Sequence, residues 1–161
     1  MKYNRFEDVP VWRDAIELAV LIFELTSQRA FRGYYSVKDQ LERAGVSISN
    51  NIAEGFERGT TQETLTFLYI SKGSCGEVRS LTYLLERLPT FDDLKSKISD
   101  LRSRSASISR QLHGWCSSLQ NSEIKGQRYL TDKSRRLDKA RRDREEFLKE
   151  LESMRSKRSE I

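Results

Sequence analysis

The feature that most constrains the fold of this sequence is a set of four segments whose apolar residues recur every three or four positions. That spacing places the apolar side chains along one face of an α-helix. None of these segments shows the strict alternation of apolar and polar residues that is typical of a half-buried strand. The chain of 161 residues is therefore predicted to be all-α.

Residues that start or stop helices separate the four segments. Pro10 opens the first helix, because proline is tolerated in a first turn, and the helical pattern runs to about Ala30 before Gly33 interrupts it. The second helix begins near Ser36, Gly55 and Gly59 mark its end, and Pro89 stops the third helix. Residues 60–63 (TTQE) and 90–93 (TFDD) are both predicted to be capping boxes, in which a Thr hydroxyl and an acidic side chain satisfy free N–H groups. They would start the third and fourth helices.

The third and fourth helices carry the longest apolar seams. In the fourth helix the seam steps by four and three without a break through Leu94, Ile98, Leu101, Ser105, Ile108, Leu112, Trp115 and Leu119. In the third helix we expect the seam to be Phe67, Ile70, Ser74, Leu81, Leu84 and Leu88, with Leu68, Cys75, Val78 and Leu85 beside it. Short connections between such helices favour an up-down-up-down antiparallel four-helix bundle over residues 1–119.

The sequence changes character after the fourth helix. Residues 120–131 are predicted to be a connection, and residues 132–161 a charged helical extension with a thin apolar stripe. The net charge of +5 belongs to this end of the chain: residues 1–124 hold 16 basic and 16 acidic residues, whereas residues 125–161 hold 13 basic and 8 acidic. We therefore expect an acidic partner for the extension.

The basic run of the extension is the candidate nucleic-acid site. Cations that surround a helix can neutralise phosphates and give sequence-independent, salt-sensitive binding. The predicted phosphate-binding residues are Arg128, Lys133, Arg135, Arg136, Lys139, Arg141, Arg142 and Arg144. A solvated helix with internal ion pairs is the alternative. With only Tyr129 and Phe147 nearby, base stacking is not indicated here.

The sequence contains no motif of a known enzyme class. Phosphate-binding glycine loops, HExxH, GxSxG and CxxC are all missing. His113 and Cys116 lie one helical turn apart, but one His and two Cys cannot supply a metal site, and we expect both to be packing residues and Cys75 and Cys116 to be free thiols. We predict no catalytic residue, metal or cofactor. Without an apolar run long enough to span a membrane or a signal peptide, a cytoplasmic protein is expected.

Two polar residues stand on predicted apolar seams. Asn51 extends the line of Leu41, Ala44 and Ile48 in the second helix, and Glu77 lies between Ser74 and Leu81 in the third. Because buried polar groups need partners, we predict that Asn51 and Glu77 form a structural polar network across the bundle. A ligand or subunit contact is the alternative.

Three stretches resemble a known bacterial family. They are residues 11–15 (VWRDA), residues 40–58 (QLERAGVSISNNIAEGFER) and residues 67–78 (FLYISKGSCGEV). Together they resemble the four-helix-bundle proteins encoded in intervening sequences of large-subunit (23S) rRNA genes. That family is in turn similar to the accessory variability determinant of diversity-generating retroelements.

The resemblance implies a non-enzymatic homo-oligomer, a pentameric ring, that binds nucleic acid or a reverse transcriptase. It extends over residues 5–119, so no family residue can be carried onto the extension. We therefore predict a scaffold that binds RNA or DNA through the extension. The alternative is a protein-interaction module whose C-terminal helix docks on a partner through Leu137, Phe147, Leu151 and Met154 without touching nucleic acid.

Overall fold

The computed structural model describes residues 3–122, Ala140, Asp143, Arg144 and residues 146–148. Within these residues the regular structure is helical and contains no strand, which confirms the all-α prediction. Contacts divide the chain into two compact units, Met1–Gly126 and Gln127–Ile161. No helix in the described residues is long and apolar enough to cross a membrane.

The first unit is built from four long helices, which we label α1 (Pro10–Thr26), α2 (Tyr35–Glu57), α3 (Thr61–Glu86) and α4 (Lys95–Gln120). Short 3-10 turns precede α1 and connect α1 to α2 and α3 to α4, at Phe6–Asp8, Arg29–Phe31 and Pro89–Leu94. Each long helix packs against the next, and α1 also packs against α4. The four predicted helices are thus present, and α1 ends four residues earlier than the apolar pattern suggested.

The predicted cap at the start of α3 is present. The Thr60 Oγ1 accepts a hydrogen bond from the Glu63 backbone N–H at 3.2 Å. The Glu63 carboxylate in turn accepts a hydrogen bond from the Thr60 hydroxyl at 2.8 Å. The Thr60 half of the predicted capping box is therefore confirmed, whereas the Glu63 carboxylate binds the Thr60 hydroxyl and not the backbone N–H that was predicted.

The second predicted capping box is wrong. Residues 90–93 lie inside the 3-10 turn Pro89–Leu94, and α4 begins only after it, without a side-chain cap. The cause is Phe91, which is fully buried and packs edge-on against Phe31 and Tyr34 with ring centroids 4.8 and 5.1 Å apart. The Thr90 hydroxyl lies 3.1 Å from that of Tyr34 instead of capping α4.

The core confirms the α4 seam and corrects the α3 seam. Ile98, Leu101, Ser105, Ile108 and Leu112 of α4 are buried, as predicted. In α3 the buried line is instead Leu68, Cys75, Val78, Thr82 and Leu85. Of the predicted seam, Ser74 is buried, whereas Ile70 and Leu84 are exposed. α3 therefore turns toward the core the line of residues that was predicted to lie beside the seam.

Two glycines of α2 let neighbouring helices approach closely. A Cβ at Gly45 would lie 2.7 Å from Ile22 Cδ1 of α1, and one at Gly55 would lie 2.8 Å from Phe67 Cβ of α3. Side-chain contacts this short do not occur without movement. Glycine in a helix interior costs about 1 kcal/mol relative to alanine, and the close packing of α2 against Ile22 explains why glycine occupies position 45.

Candidate nucleic-acid interface

Most of the predicted phosphate-binding residues lie outside the described residues. These are Arg128, Lys133, Arg135, Arg136, Lys139, Arg141 and Arg142. Arg144 is described, and it is helical and exposed, as are its neighbours Asp143 and Glu146. The assignment of these cations to phosphate contacts stays a prediction.

The predicted polar network is replaced by a smaller one that excludes Glu77. Glu77 is exposed, because it lies on the same line of α3 as Ile70 and Leu84, which face away from the core. Asn51 is half-buried, and its Nδ2 donates to the Ser47 carbonyl at 2.7 Å and to Ser47 Oγ at 3.0 Å. The network therefore begins within α2 instead of spanning the bundle through a carboxylate.

Serine hydroxyls make several of the polar links between helices, and hydropathy alone gave no sign of these serine links. Ser47 Oγ lies 2.9 Å from Ser74 Oγ and joins α2 to α3. Ser71 Oγ donates to the Ile48 carbonyl at 2.9 Å, and Ser105 Oγ donates to the Cys75 carbonyl at 2.9 Å. The buried Ser71 and Ser105 hydroxyls are thus satisfied by the backbone of a neighbouring helix. A small polar residue at a core position was the signal that could have revealed these links.

The cysteines and the histidine form no reactive site in the described residues. Cys75 and Cys116 are buried free thiols, as predicted, and His113 is exposed. Burial raises the pKa of the Cys75 thiol to about 11 and also raises the pKa of Cys116. Both thiols therefore stay protonated and poorly nucleophilic near neutral pH. No group of His, Cys, Asp and Glu in this part of the chain could hold a metal ion.

One surface depression of the first unit lies between α1 and α2. It has a volume of about 550 Å³ and is lined by Phe23, Asp39, Glu42, Arg43, Val46, Ser47, Asn50 and Asn51. Its charged residues are engaged: Glu42 binds the Thr26 hydroxyl, and Arg43 pairs with Asp39 at 3.0 Å. The depression therefore offers neither a free carboxylate pair nor a nucleophile with an adjacent base.

Charge is unevenly shared among the four helices, although residues 1–124 are neutral as a whole. α1 holds one basic and three acidic residues, α2 two and four, and α3 two and three. α4 holds five basic residues and one acidic residue, Asp100. Together α3 and α4 hold seven basic and four acidic residues, whereas α1 and α2 hold three basic and seven acidic residues, so the positive charge of the unit is concentrated on α4.

One side of α3 turns toward α4 and carries two exposed tyrosines. We call it the α3–α4 face, and its residues at helical spacing are Tyr69, Lys72, Gly76, Arg79 and Tyr83. The Tyr69 hydroxyl accepts from Gln120 Nε2 of α4 at 2.8 Å, and the Arg102 guanidinium of α4 lies 4.4 Å from the Tyr83 ring centroid. The two rings are 47% and 53% exposed.

The cations of this face differ in how they are paired. Arg102 makes two hydrogen bonds to the Glu86 carboxylate, at 2.6 and 3.1 Å, and these bonds lower the pKa of Glu86. Lys72 and Arg79 have no carboxylate within ion-pair distance among the described residues. The Arg79 Nε is also buried without a hydrogen-bond partner there. The face thus keeps two cations available to an external anion.

The described part of the chain is thus an all-α unit of four long helices without a metal cluster or an assembled catalytic group. The chain belongs to the 23S rRNA-intervening sequence protein family, whose sequence model matches residues 7–114. The matched region runs from the 3-10 turn before α1 into the last turns of α4. No curated protein matches the chain.

Proposed function

We propose that the protein is a non-enzymatic scaffold that binds RNA or DNA without sequence preference. The observation that carries the proposal is the separation of charge: 13 basic against 8 acidic residues in residues 125–161, on a chain that is otherwise balanced. Such a segment gains affinity by releasing counterions from phosphates. The family's description refers to 23S rRNA, which agrees with a nucleic-acid setting.

The scaffold role rests on the helical unit. Helices that pack in chain order, with α1 against α4, support an up-down-up-down bundle. Val20 and Phe23 of α1 and Ile70 and Leu84 of α3 leave apolar groups exposed that a second copy can cover. We propose a homo-oligomer, a pentamer by resemblance, in which several extensions act on one nucleic acid and a reverse transcriptase is the partner enzyme. Avidity would then multiply a weak contact.

A protein-interaction module is the second candidate. The observation that favours it is the exposure of Phe147 and Leu148, which are 59% and 47% exposed on helical residues of the second unit. Large apolar side chains on a charged helix are typical of a helix that docks in a partner's groove. In this case the basic residues only keep the helix in solution.

Neutralising the extension of the full chain distinguishes the two candidates. In the test variant the eight predicted phosphate-binding residues are replaced by Gln, and in the matched variant Asp138, Asp143, Glu145 and Glu146 are replaced by their amides. Anisotropy of a labelled RNA, titrated from about 50 to 200 mM salt, gives affinity and salt slope. We expect weaker binding with a shallower slope in the first variant and tighter binding in the second. Affinity that changes with neither variant contradicts phosphate contact by the extension.

A further inference from the structure

We infer that the α3–α4 face is a second nucleic-acid site, one that binds single strands by stacking bases on Tyr83 and Tyr69 and holding phosphates with Lys72 and Arg79. The inference rests on the proposed function and adds a site that the extension does not supply. This second site also gives the protein a preference for unpaired over duplex nucleic acid.

The alternation of rings and cations along α3 is the first support. Tyr69, Lys72, Arg79 and Tyr83 follow one another along the same side of the helix, and Tyr69 and Tyr83 are about 21 Å apart at 1.5 Å per residue. Proteins that bind single strands combine a cationic groove with aromatic rings on which successive bases stack. A segment of three or four nucleotides spans such a distance.

The electrostatics of the face supply the second support. α4, which forms its other wall, is the only long helix of the first unit with more basic than acidic residues. The carboxylate of Glu86 is already neutralised by Arg102, so it does not repel a phosphate. Lys72 and Arg79 therefore act as free positive charges beside exposed rings.

Arg79 supplies the third support. A buried N–H of a guanidinium without an acceptor is unfavourable, and buried polar groups are nearly always paired. The Arg79 side chain is long and only half-buried, so it can turn outward to a phosphate, which accepts from guanidinium in a bidentate geometry. Gly76, one turn before Arg79, has nothing within 4 Å of where a Cβ would lie, so a ligand has room there.

The exposed surfaces of the two tyrosine rings make the site selective for unpaired bases. Arg102 covers part of Tyr83 and fixes the ring, which leaves its exposed surface for a base. Paired bases in a duplex are stacked on their neighbours and cannot reach such a ring. An acidic protein surface would use the two cations but would gain nothing from a ring stacked on a nucleobase.

The test uses the full chain and a labelled unstructured RNA of about 20 nucleotides, alone and annealed to its complement. The variants are Lys72→Gln with Arg79→Gln, Tyr83→Leu and Tyr83→Phe. The matched controls are Arg29→Gln with Arg32→Gln, which removes the same charge elsewhere, and Tyr35→Leu, which removes another exposed ring. Circular dichroism and light scattering establish that each variant is folded and in the parental oligomeric state.

We expect the double Gln variant to weaken single-strand binding and to reduce the salt slope by about 1.4, the value for two lost contacts on a single strand. Tyr83→Leu should weaken single-strand binding about fivefold or more and leave duplex binding unchanged, whereas Tyr83→Phe keeps parental affinity. The controls should match the parent.

Other results overturn the inference. If the face variants bind like the controls while the Gln-substituted extension loses binding, the proposed function stands and this site is wrong. If the face variants change the oligomeric state and leave RNA affinity unaltered, the face is a subunit interface. If the parent binds neither single strands nor duplex, the proposed function itself fails.

Discussion

Gly55 offers a quantitative test of how closely α2 and α3 pack. A Cβ added there would lie 2.8 Å from Phe67 Cβ and 3.3 Å from the Thr64 carbonyl oxygen. Both atoms are fixed to the α3 backbone, so neither can rotate away. Gly55→Ala must therefore push the two helices apart at this contact.

The size of the effect follows from two opposing contributions. Overpacking of a filled core costs about 1–3 kcal/mol. Alanine favours a helix interior over glycine by about 1 kcal/mol. We expect Gly55→Ala to lower the free energy of unfolding by about 1 kcal/mol, and by no more than about 2. Gly114 lies in the interior of α4 and is exposed, with nothing within 4 Å of its Cβ position, so Gly114→Ala should raise stability by up to about 1 kcal/mol.

Urea unfolding of the full chain, followed by the helical circular dichroism signal, measures both variants. The Gly114 variant carries the same change in helix propensity, so the difference between the two midpoints isolates the packing contribution, provided that the m-values agree. Gly45→Ala should fall between them, because Ile22 Cδ1 at 2.7 Å is the end of a flexible side chain. A Gly55→Ala midpoint at or above that of Gly114→Ala would refute the close approach of α2 and α3.

Three further results are expected. Ser105→Ala removes the 2.9 Å bond to the Cys75 carbonyl and should cost about 1 kcal/mol in urea unfolding, whereas an unchanged midpoint would mean that the bond contributes nothing. Arg102 lowers the folded-state pKa of Glu86, so the ion pair between them stabilises the fold at pH values above the unfolded-state pKa of Glu86. That stabilisation is lost as the pH falls through the folded-state pKa. The gap between parent and Glu86→Gln in unfolding midpoint should therefore close below about pH 4. A thiol reagent at neutral pH should label Cys75 and Cys116 only after unfolding, and rapid labelling of the folded chain would contradict their burial.

The buried face of a helix could be predicted from sequence where most of its core positions are apolar. α4 is such a case, since its seam from Ile98 to Leu112 is interrupted only by Ser105. α3 is different, because Thr64, Ser71 and Thr82 are buried in place of apolar residues. Their hydroxyls bond to backbone carbonyls, for example Thr82 to Arg79 at 2.7 Å. A reading by hydropathy therefore selected the Ile70 and Leu84 line and placed Glu77 on the wrong side.

The start of α4 needed tertiary information. The 90–93 segment has the residues of a capping box, and locally nothing forbids one. What prevents it is the burial of Phe91 between Phe31 and Tyr34, which come from the connection between α1 and α2. Two aromatic contacts outweigh a cap worth about 1 kcal/mol. No pattern within α4 itself contains that information.

The charge of the first unit shows why counting along the chain misses a surface. A balance of 16 basic and 16 acidic residues in residues 1–124 suggests a neutral body. The count adds α1 and α2, each with two more acidic than basic residues, to α4 with four more basic. Salt screens the interaction between exposed charges that are more than about 10 Å apart. The acidic residues of one side of a protein therefore do not cancel the charge that a ligand meets on the other side. We therefore expect a cationic surface on α3 and α4 in addition to the basic extension, and the salt slope that remains after the extension is neutralised measures it.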